Sequence, residues 1–535
     1  MEFNLVNDPW IKVLTQDQET KIVSMVELLK NAKKYIRIAG DMPTQDVIVL
    51  RFLLATLTTV YSRVNADGEP YEWLKLSSDW QIDSFENKNE IPDDLLETWK
   101  NLYENCDFSA AITYLSSNVS KFDFDKLYQV DFDTFNSLAK KNISIGKKTS
   151  TVNIRQINRT ISESNNSPAI FSPKSEQQKD KINPDELVRW ILMYENIAGV
   201  TDKNKACSNS VSTGWYYNLR PIYAKGNNVF ETLMLNLVLN NYKDGYRAER
   251  PVWEFEDVKH YVEFITSQPD PTELTISTLY TLGARMFHIE WEEAQPTIYT
   301  AGLPSFPNKE VFNEPMAIFS KNSDGEYISR PLKLSQINRS LWLDLDNILA
   351  KTHAPGIISW LRDLISSNLI KDNSISLEST SLISDGKSSS QLPEGQYDVS
   401  LELPVERLTS PESTFKAVEL CKKLSTNYWY LIKDISDLRG LPTDKSKIIV
   451  NRKAIDFNDQ ISREFDNWIR NSNTTLKNLK VKIQPIFEDA GNDLLRNASL
   501  RDIAGKEDEN GELTNIFKLH NKYRIIGLKY LKSFE

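Results

Sequence analysis

The chain has 535 residues, of which 40% are hydrophobic and 10% aromatic, so it is long enough for roughly two to four domains with apolar cores. Its net charge of −10 argues against a protein that coats nucleic acid through a basic surface. Three widely spaced cysteines, Cys106, Cys207 and Cys421, argue against a disulfide framework and exclude a cysteine-only zinc site. The sequence has no uncharged apolar run of about 18 residues and no basic start followed by an apolar stretch, so we expect a cytoplasmic protein without a membrane partner.

The amino-terminal residues predict two short strands and a buried helix. Residues 3–6 and 11–14 are typical of strands around a turn, with Trp10 as a core anchor. Residues 44–64 carry apolar side chains at helical spacing, which predicts a buried helix. Arg51 lies inside this helix and could face a ligand, but pairing with a core carboxylate is the commoner arrangement.

Polar loops dominate the middle of the chain. Residues 122–132 alternate apolar and charged side chains, which predicts a strand or an extended edge. A polar region that includes the loop 171–183 is predicted to be long and mobile. A predicted helix over residues 184–194 is followed by a second polar loop, residues 199–214. The next run, residues 215–223, resembles a strand.

A hairpin is predicted in the last third of the chain. Two alternating runs, residues 374–380 and 399–403, flank a loop rich in serine, glycine and proline. The tip carries Lys387, three hydroxyl groups and Gln391, which offer hydrogen-bond donors and acceptors without bulk. Such a tip suits insertion into a nucleic-acid groove, although composition alone favours a solvated connector.

The carboxy-terminal residues 401–535 predict a four-helix bundle. They carry a net charge of +3, against −13 for residues 1–400. Ser410 and Pro411 form a good helix start, with a capping hydroxyl and a proline at the first helical position. Four amphipathic stretches follow, over residues 411–435, 451–472, 476–496 and 513–532. We interpret their apolar seams as bundle core rather than as a binding face.

Several short motifs, in order over nearly the whole chain, resemble the CasA family, the large subunits of type I-E Cascade, an RNA-guided surveillance complex of CRISPR immunity. They are Phe3-Asn4-Leu5, Asp8-Pro9-Trp10-Ile11, Leu50-Arg51-Phe52-Leu53-Leu54-Ala55, Tyr128-Gln129-Val130, Glu231-Thr232-Leu233, Leu235-Asn236-Leu237, Pro251-Val252-Trp253-Glu254, and Ser384-Asp385-Gly386 ahead of Gln391.

The resemblance implies an α+β protein with a mixed α/β amino-terminal domain over residues 1–400 and an all-α four-helix bundle over residues 401–535. It implies a subunit without catalytic activity or cofactor that recognises the protospacer-adjacent motif of double-stranded target DNA, largely from the minor groove. A glutamine-bearing hairpin would then start strand separation, after which guide RNA pairs with the target strand. Implied partners are the guide RNA, the backbone subunits and small helical subunits of Cascade, and the helicase-nuclease effector.

Family site residues carry over to this chain one by one. The wedge corresponds to Ser390, Gln391 and Leu392, and the aromatic contact to the guide RNA or backbone subunits corresponds to Phe171. The hairpin lysine has its nearest candidate in Lys309. The family's glycine-rich minor-groove loop falls in residues 199–214, where most glycines are replaced, so direct readout is either lost or passes to side chains. The candidate side chains of that loop are Lys203, Asn204, Lys205, Asn209 and Ser210.

Enzyme chemistry has little support in the sequence. The four histidines, His260, His288, His353 and His520, are scattered without metal-ligand spacing, and no phosphate-cradling or nucleophile-elbow motif occurs. Some CasA relatives carry a cysteine cluster suited to zinc, which this chain lacks, so we expect no metal site. The alternative function is a protein-binding scaffold subunit of the same assembly without direct motif readout.

Overall fold

The structure is a computed structural model that describes residues 2–86, 88–147, 149–163, 171–198, 204–206, 210–240, 246–292, 295–384, 393–507 and 509–533. The chain divides into two compact units. The first contains Met1–Ile337, His353–Lys371 and Leu377–Val399, and the second contains Asn338–Thr352, Asp372–Ser376 and Ser400–Glu535. Along the described residues, no helix combines the length and the apolar run that a membrane span requires.

Helices and strands alternate irregularly along the first unit, and helices dominate the second. The strands are β1 (Ile11–Thr15), β2 (Thr20–Val23), β3 (Tyr35–Ile38), β4 (Leu74–Leu76), β5 (Ile82–Phe85), β6 (Thr151–Val152), β7 (Tyr223–Lys225), β8 (Arg285–Glu292), β9 (Gln295–Gly302), β10 (Ser320–Lys321), β11 (Tyr327–Ile328), β12 (Ser374–Ser384), β13 (Pro393–Pro404), β14 (Lys506–Glu507) and β15 (Leu513–Thr514). The α-helices are α1 (Met25–Asn31), α2 (Pro43–Tyr61), α3 (Ile91–Asn105), α4 (Ser109–Ser117), α5 (Phe132–Leu138), α6 (Ile154–Ile157), α7 (Pro184–Asn196), α8 (Val229–Asn236), α9 (Val258–Thr266), α10 (Ile276–Tyr280), α11 (Leu345–Ile348), α12 (Gly356–Ser366), α13 (Val405–Thr409), α14 (Glu412–Leu438), α15 (Thr443–Ile469), α16 (Leu476–Arg496), α17 (Leu500–Ala504) and α18 (Ile516–Ser533).

Helix α2 is the centre of the first unit. Pro43 occupies its first turn, where a missing N–H does no harm, and every residue of 44–61 except Asp46 is buried. It packs against α4, α7, α8 and α10. A helix that is apolar on all sides needs neighbours on all sides, so the prediction of a buried helix is confirmed. The aliphatic run that predicted it also explains why other elements assemble around α2.

The first unit also contains small sheets, and β3 of the first of them contacts α2. One has the order β2-β1-β3, a second β6-β9-β8, and a third β13-β12-β7. The predicted strand at residues 11–14 is confirmed as β1, which pairs antiparallel with β2 and β3. The predicted strand at residues 3–6 is wrong, because the Asn4 side chain accepts from the backbone N–H of Val6 and turns the chain.

Two further predicted strands are extended only in part. Residues 122–132 begin at the end of the 3-10 turn Val119–Phe122 and contain the 3-10 turn Phe124–Lys126, and the Phe122 ring packs 5.0 Å from Trp253. The predicted extended edge is present only near Gln129, which forms a parallel bridge with Phe287. The run after residue 214 begins with the 3-10 turn Tyr216–Asn218 and becomes strand β7 only at Tyr223. In both places buried aromatic side chains take tertiary contacts, which override the local preference for extended chain.

The second unit contains the four predicted long helices. Helices α15 and α18 each pack against both α14 and α16. The predicted seam residues Phe457, Ile461 and Phe465 are buried between them. At Gly527 a Cβ would overlap the Phe487 ring, so a glycine lets α16 and α18 approach closely. The α+β fold class with a helical carboxy-terminal region is confirmed.

We expect Asp502→Asn to destabilise the second unit in a pH-dependent way. Arg439 forms a bidentate pair with the buried Asp502 carboxylate at 2.9 and 2.7 Å, which lowers the pKa of Asp502 from 3.8 to about 2. A depressed carboxyl pKa adds stability above about pH 4 and loses it as the pH falls toward 2. The variant should lose about 1–3 kcal/mol at neutral pH, with the difference from the parent shrinking below pH 4, as measured by urea unfolding between pH 7 and 3.

The control for this experiment is Asp493→Asn. Asp493 pairs with Arg496 at 3.0 Å, but both side chains are mostly exposed. Exposed pairs contribute little, so this variant should unfold like the parent at every pH. A constant difference between Asp502→Asn and the parent over the whole pH range would contradict the assigned pKa.

Candidate nucleic-acid interface

The predicted hairpin is formed by β12 and β13, and its stem is well packed. Ile383 and Tyr397 are buried against Leu332, and Thr380 Oγ1 donates to Asp398 across the two strands at 2.8 Å. The predicted wedge residues Ser390, Gln391 and Leu392 lie outside the described residues. The structure therefore describes the stem of the predicted hairpin.

Residues 216–225 hold the stem from the other side, where β7 pairs with β12. The Tyr216 hydroxyl donates to the Thr380 carbonyl, and Ser379 Oγ donates to the Pro221 carbonyl at 2.5 Å. One residue before them, Glu378 accepts from Tyr223 Oη and from Lys225 Nζ, each at 2.7 Å. Burial, and then the nearby Glu378 charge, raise the pKa of the Tyr223 hydroxyl well above its usual range, so it stays a donor.

The loop 199–214 is described only at residues 204–206 and 210–214, so Lys203 and Asn209 lie outside the described residues. Asn204 is 1% exposed, and its amide accepts from Lys141 N at 3.1 Å and donates to Lys141 O at 2.9 Å. Asn204 is therefore an anchor of the loop, not a side chain presented to solvent. Of the other candidates, Lys205 is half-buried and Ser210 is exposed.

Backbone pairing attaches the described parts of this loop to the end of β9 and to the residues that follow it. Lys205 forms a parallel bridge with Gly302, while Ser212 N–H donates to Leu303 O at 2.8 Å. Ser305 N–H donates to Ser210 O at 2.9 Å. The loop is thus hydrogen-bonded to residues 302–305 at residue 206 and again at residues 210–212.

Two buried arginines support the neck of the loop, by which we mean residues 196–198 and 210–214. Arg159 donates to the carbonyls of Ile197 and Ala198 at 2.9 and 2.7 Å, where α7 ends, and Arg285 donates to Ser212 O at 2.8 Å. A cation at a helix carboxyl end is favoured by the helix dipole. Burial lowers the pKa of Arg159, and burial raises the pKa of Glu195, which accepts from Arg285 N, to about 8. Arg159 and Arg285 thus hold backbone carbonyls on both sides of the loop.

A buried ion pair lies beneath the point where the loop ends. Arg51 contacts the Glu314 carboxylate with two bonds of 2.8 and 2.9 Å, and both side chains are fully buried. Trp215 Nε1 donates to the same carboxylate at 2.8 Å. Burial disfavours the Arg51 charge, but the Glu314 charge outweighs it and raises the pKa of Arg51. The expected core pairing of Arg51 is confirmed.

The short hairpin of β10 and β11 presents two lysines of different character. Lys309 lies beside it through a bridge to Ile328 and pairs with Glu326, whose hydrogen bond raises the pKa of Lys309. Lys321 is exposed above the Tyr327 ring at 5.2 Å, and within the described parts of the chain no carboxylate lies at ion-pair distance from it. Lys321 is the cation of this hairpin that a phosphate could reach without competition.

Phe171 is 92% exposed at the start of the loop 171–183. The rest of this loop is not the mobile segment that composition predicted, because ion pairs tie it to α6. Arg155 contacts Glu176 at 2.6 Å and Asp180 at 2.7 Å, and Lys179 contacts Glu163 at 2.5 Å. A network of this kind fixes a loop better than isolated pairs do. Phe171 is thus an exposed ring on an anchored base.

The structure brings three of the predicted sites onto one support. The loop 199–214 ends in residues 210–214, the segment near Lys309 is tied in by Asn308, which donates to Asn218 O at 2.7 Å, and the hairpin stem is held by residues 216–225. Phe171 lies elsewhere, five residues before Glu176 of the Arg155 network. Residues 210–225 therefore connect the candidate recognition elements of the first unit.

Sequence reasoning missed the supporting residues. Trp215 and Tyr216 directly follow a polar loop, and an aromatic pair in that position is the signal that could have identified them as loop anchors. Glu314 gives no local signal at all. Among the described residues, no three or more histidine, cysteine, aspartate or glutamate side chains gather as a metal site would require.

Comparison with known proteins gives the family. A model for CRISPR-associated protein Cse1 matches residues 4–498. The chain belongs to the CRISPR-associated protein Cse1 family. A curated Cse1 relative is CRISPR-associated protein CasA/Cse1 of Thermus thermophilus, which is 22% identical over 351 residues. That alignment spans 65% of this chain and 61% of the relative's length. The resemblance inferred from the ordered motifs is confirmed.

Solved Cse1 structures share the fold along the whole chain. Thermobifida fusca Cse1 is 20% identical with a TM-score of 0.71, covering 99% of this chain and 98% of that one. Thermus thermophilus CasA (Cse1) is 16% identical with a TM-score of 0.66, covering 99% of both. A chain of a CRISPR RNA-guided surveillance complex is 13% identical with a TM-score of 0.62, covering 98% of this chain and 99% of that one.

Proposed function

We propose that this Cse1-family protein is the large, non-catalytic subunit of an RNA-guided CRISPR surveillance complex. It recognises the protospacer-adjacent motif of double-stranded DNA through the loop 199–214 and starts strand separation with Gln391. The observation that carries this proposal is the attachment of the loop, the Lys321 hairpin and the β12–β13 stem to residues 210–225. A motif reader and a wedge must act on neighbouring base pairs, so a shared support suits both.

The chemistry of the exposed groups fits a local contact with DNA rather than a broad basic surface. Ser210 and Lys205 of the loop offer a small donor and a cation, and Lys321 of the β10–β11 hairpin offers a second cation. A wedge recovers the unstacking free energy of a few kcal/mol through contacts made in the opened state. Base pairing with the guide RNA reads the remaining sequence, so an acidic protein can serve as the DNA-recognition subunit.

Partner contacts follow from the same assignment. The exposed Phe171 ring, at the start of the loop that the Arg155 ion pairs anchor, is the contact to the guide RNA or the backbone subunits. The small helical subunits are further partners, and the assembled complex recruits the helicase-nuclease. A scaffold without motif readout is the second candidate, which the burial of Asn204 and the pairing of Lys309 favour.

The test is target-duplex binding and strand opening by the reconstituted guide complex at fixed salt, with Gln391→Ala in this subunit. Assembly of the complex should persist. Opening of the first base pairs beside the motif, measured by 2-aminopurine fluorescence, should fall about tenfold or more because the wedge contact is lost. Gln460→Ala, on an exposed position of α15, is the matched control and should behave like the parent. If Gln391→Ala opened DNA like the parent, the wedge assignment would be wrong and the scaffold function would take its place.

A further inference from the structure

Residues 210–225 join the loop neck to the hairpin stem, and we call them the connecting segment. Hydrogen bonds hold this segment at both ends and between them. At one end Ser212 N–H donates to Leu303 O, and at the other Tyr223–Lys225 pairs with β12. Between these ends, the Trp215 indole bonds Glu314 and the next residue, Tyr216, bonds the hairpin carbonyl of Thr380. The adjacent residues Trp215 and Tyr216 therefore anchor the end of the loop and the hairpin, respectively.

The connecting segment is deeply packed. Tyr216 is 0% exposed, and Trp215, Leu219 and Ile222 are buried as well. Gly214 has φ +100° and lies so close to α7 that a Cβ there would overlap the Asn196 carbonyl. Moving the hairpin relative to the loop would break buried hydrogen bonds that nothing nearby can replace. The position of residues 210–214 relative to the stem of the hairpin is therefore set before DNA arrives.

The distances involved are comparable with the spacing of base pairs. One residue, Trp215, lies between Gly214 at the loop neck and Tyr216, which bonds the stem, so the two Cα atoms are at most about 7 Å apart. Adjacent base pairs in DNA are about 3.4 Å apart. Moving the hairpin by the height of one base pair would therefore be a displacement of about half of that maximum distance. The buried hydrogen bonds of Tyr216 and Ser379 oppose such a displacement.

From this we infer that the connecting segment acts as a ruler, with Tyr216 and Ser379 as positioning residues. It sets the number of base pairs between the motif read by the loop and the pair that the hairpin opens. The inference rests on the proposed function and adds to it: motif recognition decides whether the duplex opens, and the connecting segment decides where. Neither residue needs to touch DNA for this role.

The test compares Tyr216→Phe/Ser379→Ala with Tyr71→Phe/Ser62→Ala in the reconstituted complex. Each pair removes one tyrosine and one serine hydroxyl from buried backbone carbonyls of the first unit. Tyr71 bonds the Tyr61 carbonyl and the Thr98 hydroxyl, and Ser62 bonds the Thr59 carbonyl, all away from the connecting segment. Duplexes carrying 2-aminopurine at successive positions from the motif report where opening starts. Thermal melting of both variants checks that their losses of stability match.

In the parent and the control, opening should start at one position. In Tyr216→Phe/Ser379→Ala, the ratio of signal at that position to signal at its neighbour should fall about fivefold or more, since hydrogen bonds that hold the register are gone. Binding to a duplex that already contains an unpaired bubble should be unchanged. A register as sharp as the control's would overturn the ruler, whereas a parent that opens DNA without regard to the motif would overturn the proposed function itself.

Discussion

Replacing Glu314 by glutamine should lower the free energy of unfolding by about 3–5 kcal/mol, the range for breaking one side of a buried ion pair. The glutamine keeps the shape but turns an NH₂ group toward Arg51, whose guanidinium is fully buried and bonded to both carboxylate oxygens at 2.8 and 2.9 Å. The Arg51 charge would then lack a counter-charge in a site without water access. Chemical denaturation of the isolated protein, followed by tryptophan fluorescence, measures this loss.

Two controls separate a buried-charge effect from general damage. Glu27→Gln removes the partner of Lys21 in an exposed pair, so it should change stability by less than about 1 kcal/mol. Arg51→Met/Glu314→Met removes both charges and should recover part of the stability that Glu314→Gln loses, because no unpaired charge remains. If Glu314→Gln were no worse than Glu27→Gln, the buried pair would not support the first unit as described.

Local sequence patterns were enough to predict the elements whose conformation does not depend on distant partners. The aliphatic run of α2 and the amphipathic seams of the bundle follow helical spacing, and both are helices in the structure. The alternating runs around residues 384–398 likewise became β12 and β13. In each case the local preference and the tertiary contacts agree.

Local patterns failed where distant partners decide the conformation. Arg51 and Glu314 are 263 residues apart in sequence, so nothing near Arg51 identifies its carboxylate. The loop 171–183 looks disordered by composition, yet Arg155 from α6 neutralises its acids and fixes it. Asn204 has the composition of a solvent-facing loop residue and is instead buried by Lys141. Polar residues in loops can serve solvent or the fold equally well, and only the partner decides which.

The candidate site shows the same division. The family motifs indicated which segments carry recognition, but Lys321 and Tyr216 matter through contacts that a single sequence does not display. Lys309 and Lys321 differ in availability only because Glu326 lies within reach of the first. Assigning a role to a lysine therefore requires its neighbours, whereas assigning a helix requires only its spacing.

We expect Gly214→Ala to destabilise the loop neck by about 2–5 kcal/mol, the sum of left-handed backbone strain and overpacking. Gly214 has φ +100°, and an added Cβ would overlap the Asn196 carbonyl and lie 2.7 Å from Ile197 N, both backbone atoms at the end of α7 that cannot rotate away. The loop would have to detach from α7 or from the Leu303 pairing. Amide hydrogen exchange should then rise at residues 196–198 and 210–213, together with a lower melting temperature.

Gly325→Ala is the matched control for this substitution. Gly325 has a similar positive φ of +84° in the turn between β10 and β11, but no atom lies within 4 Å of its would-be Cβ. That variant should suffer only the backbone strain, about 1–2 kcal/mol. Since the loop neck adjoins the connecting segment, Gly214→Ala should also weaken target opening in the guide complex more than Gly325→Ala does. Equal effects of the two alanines on stability and exchange would mean that the close approach of Gly214 to α7 does not hold the loop in place.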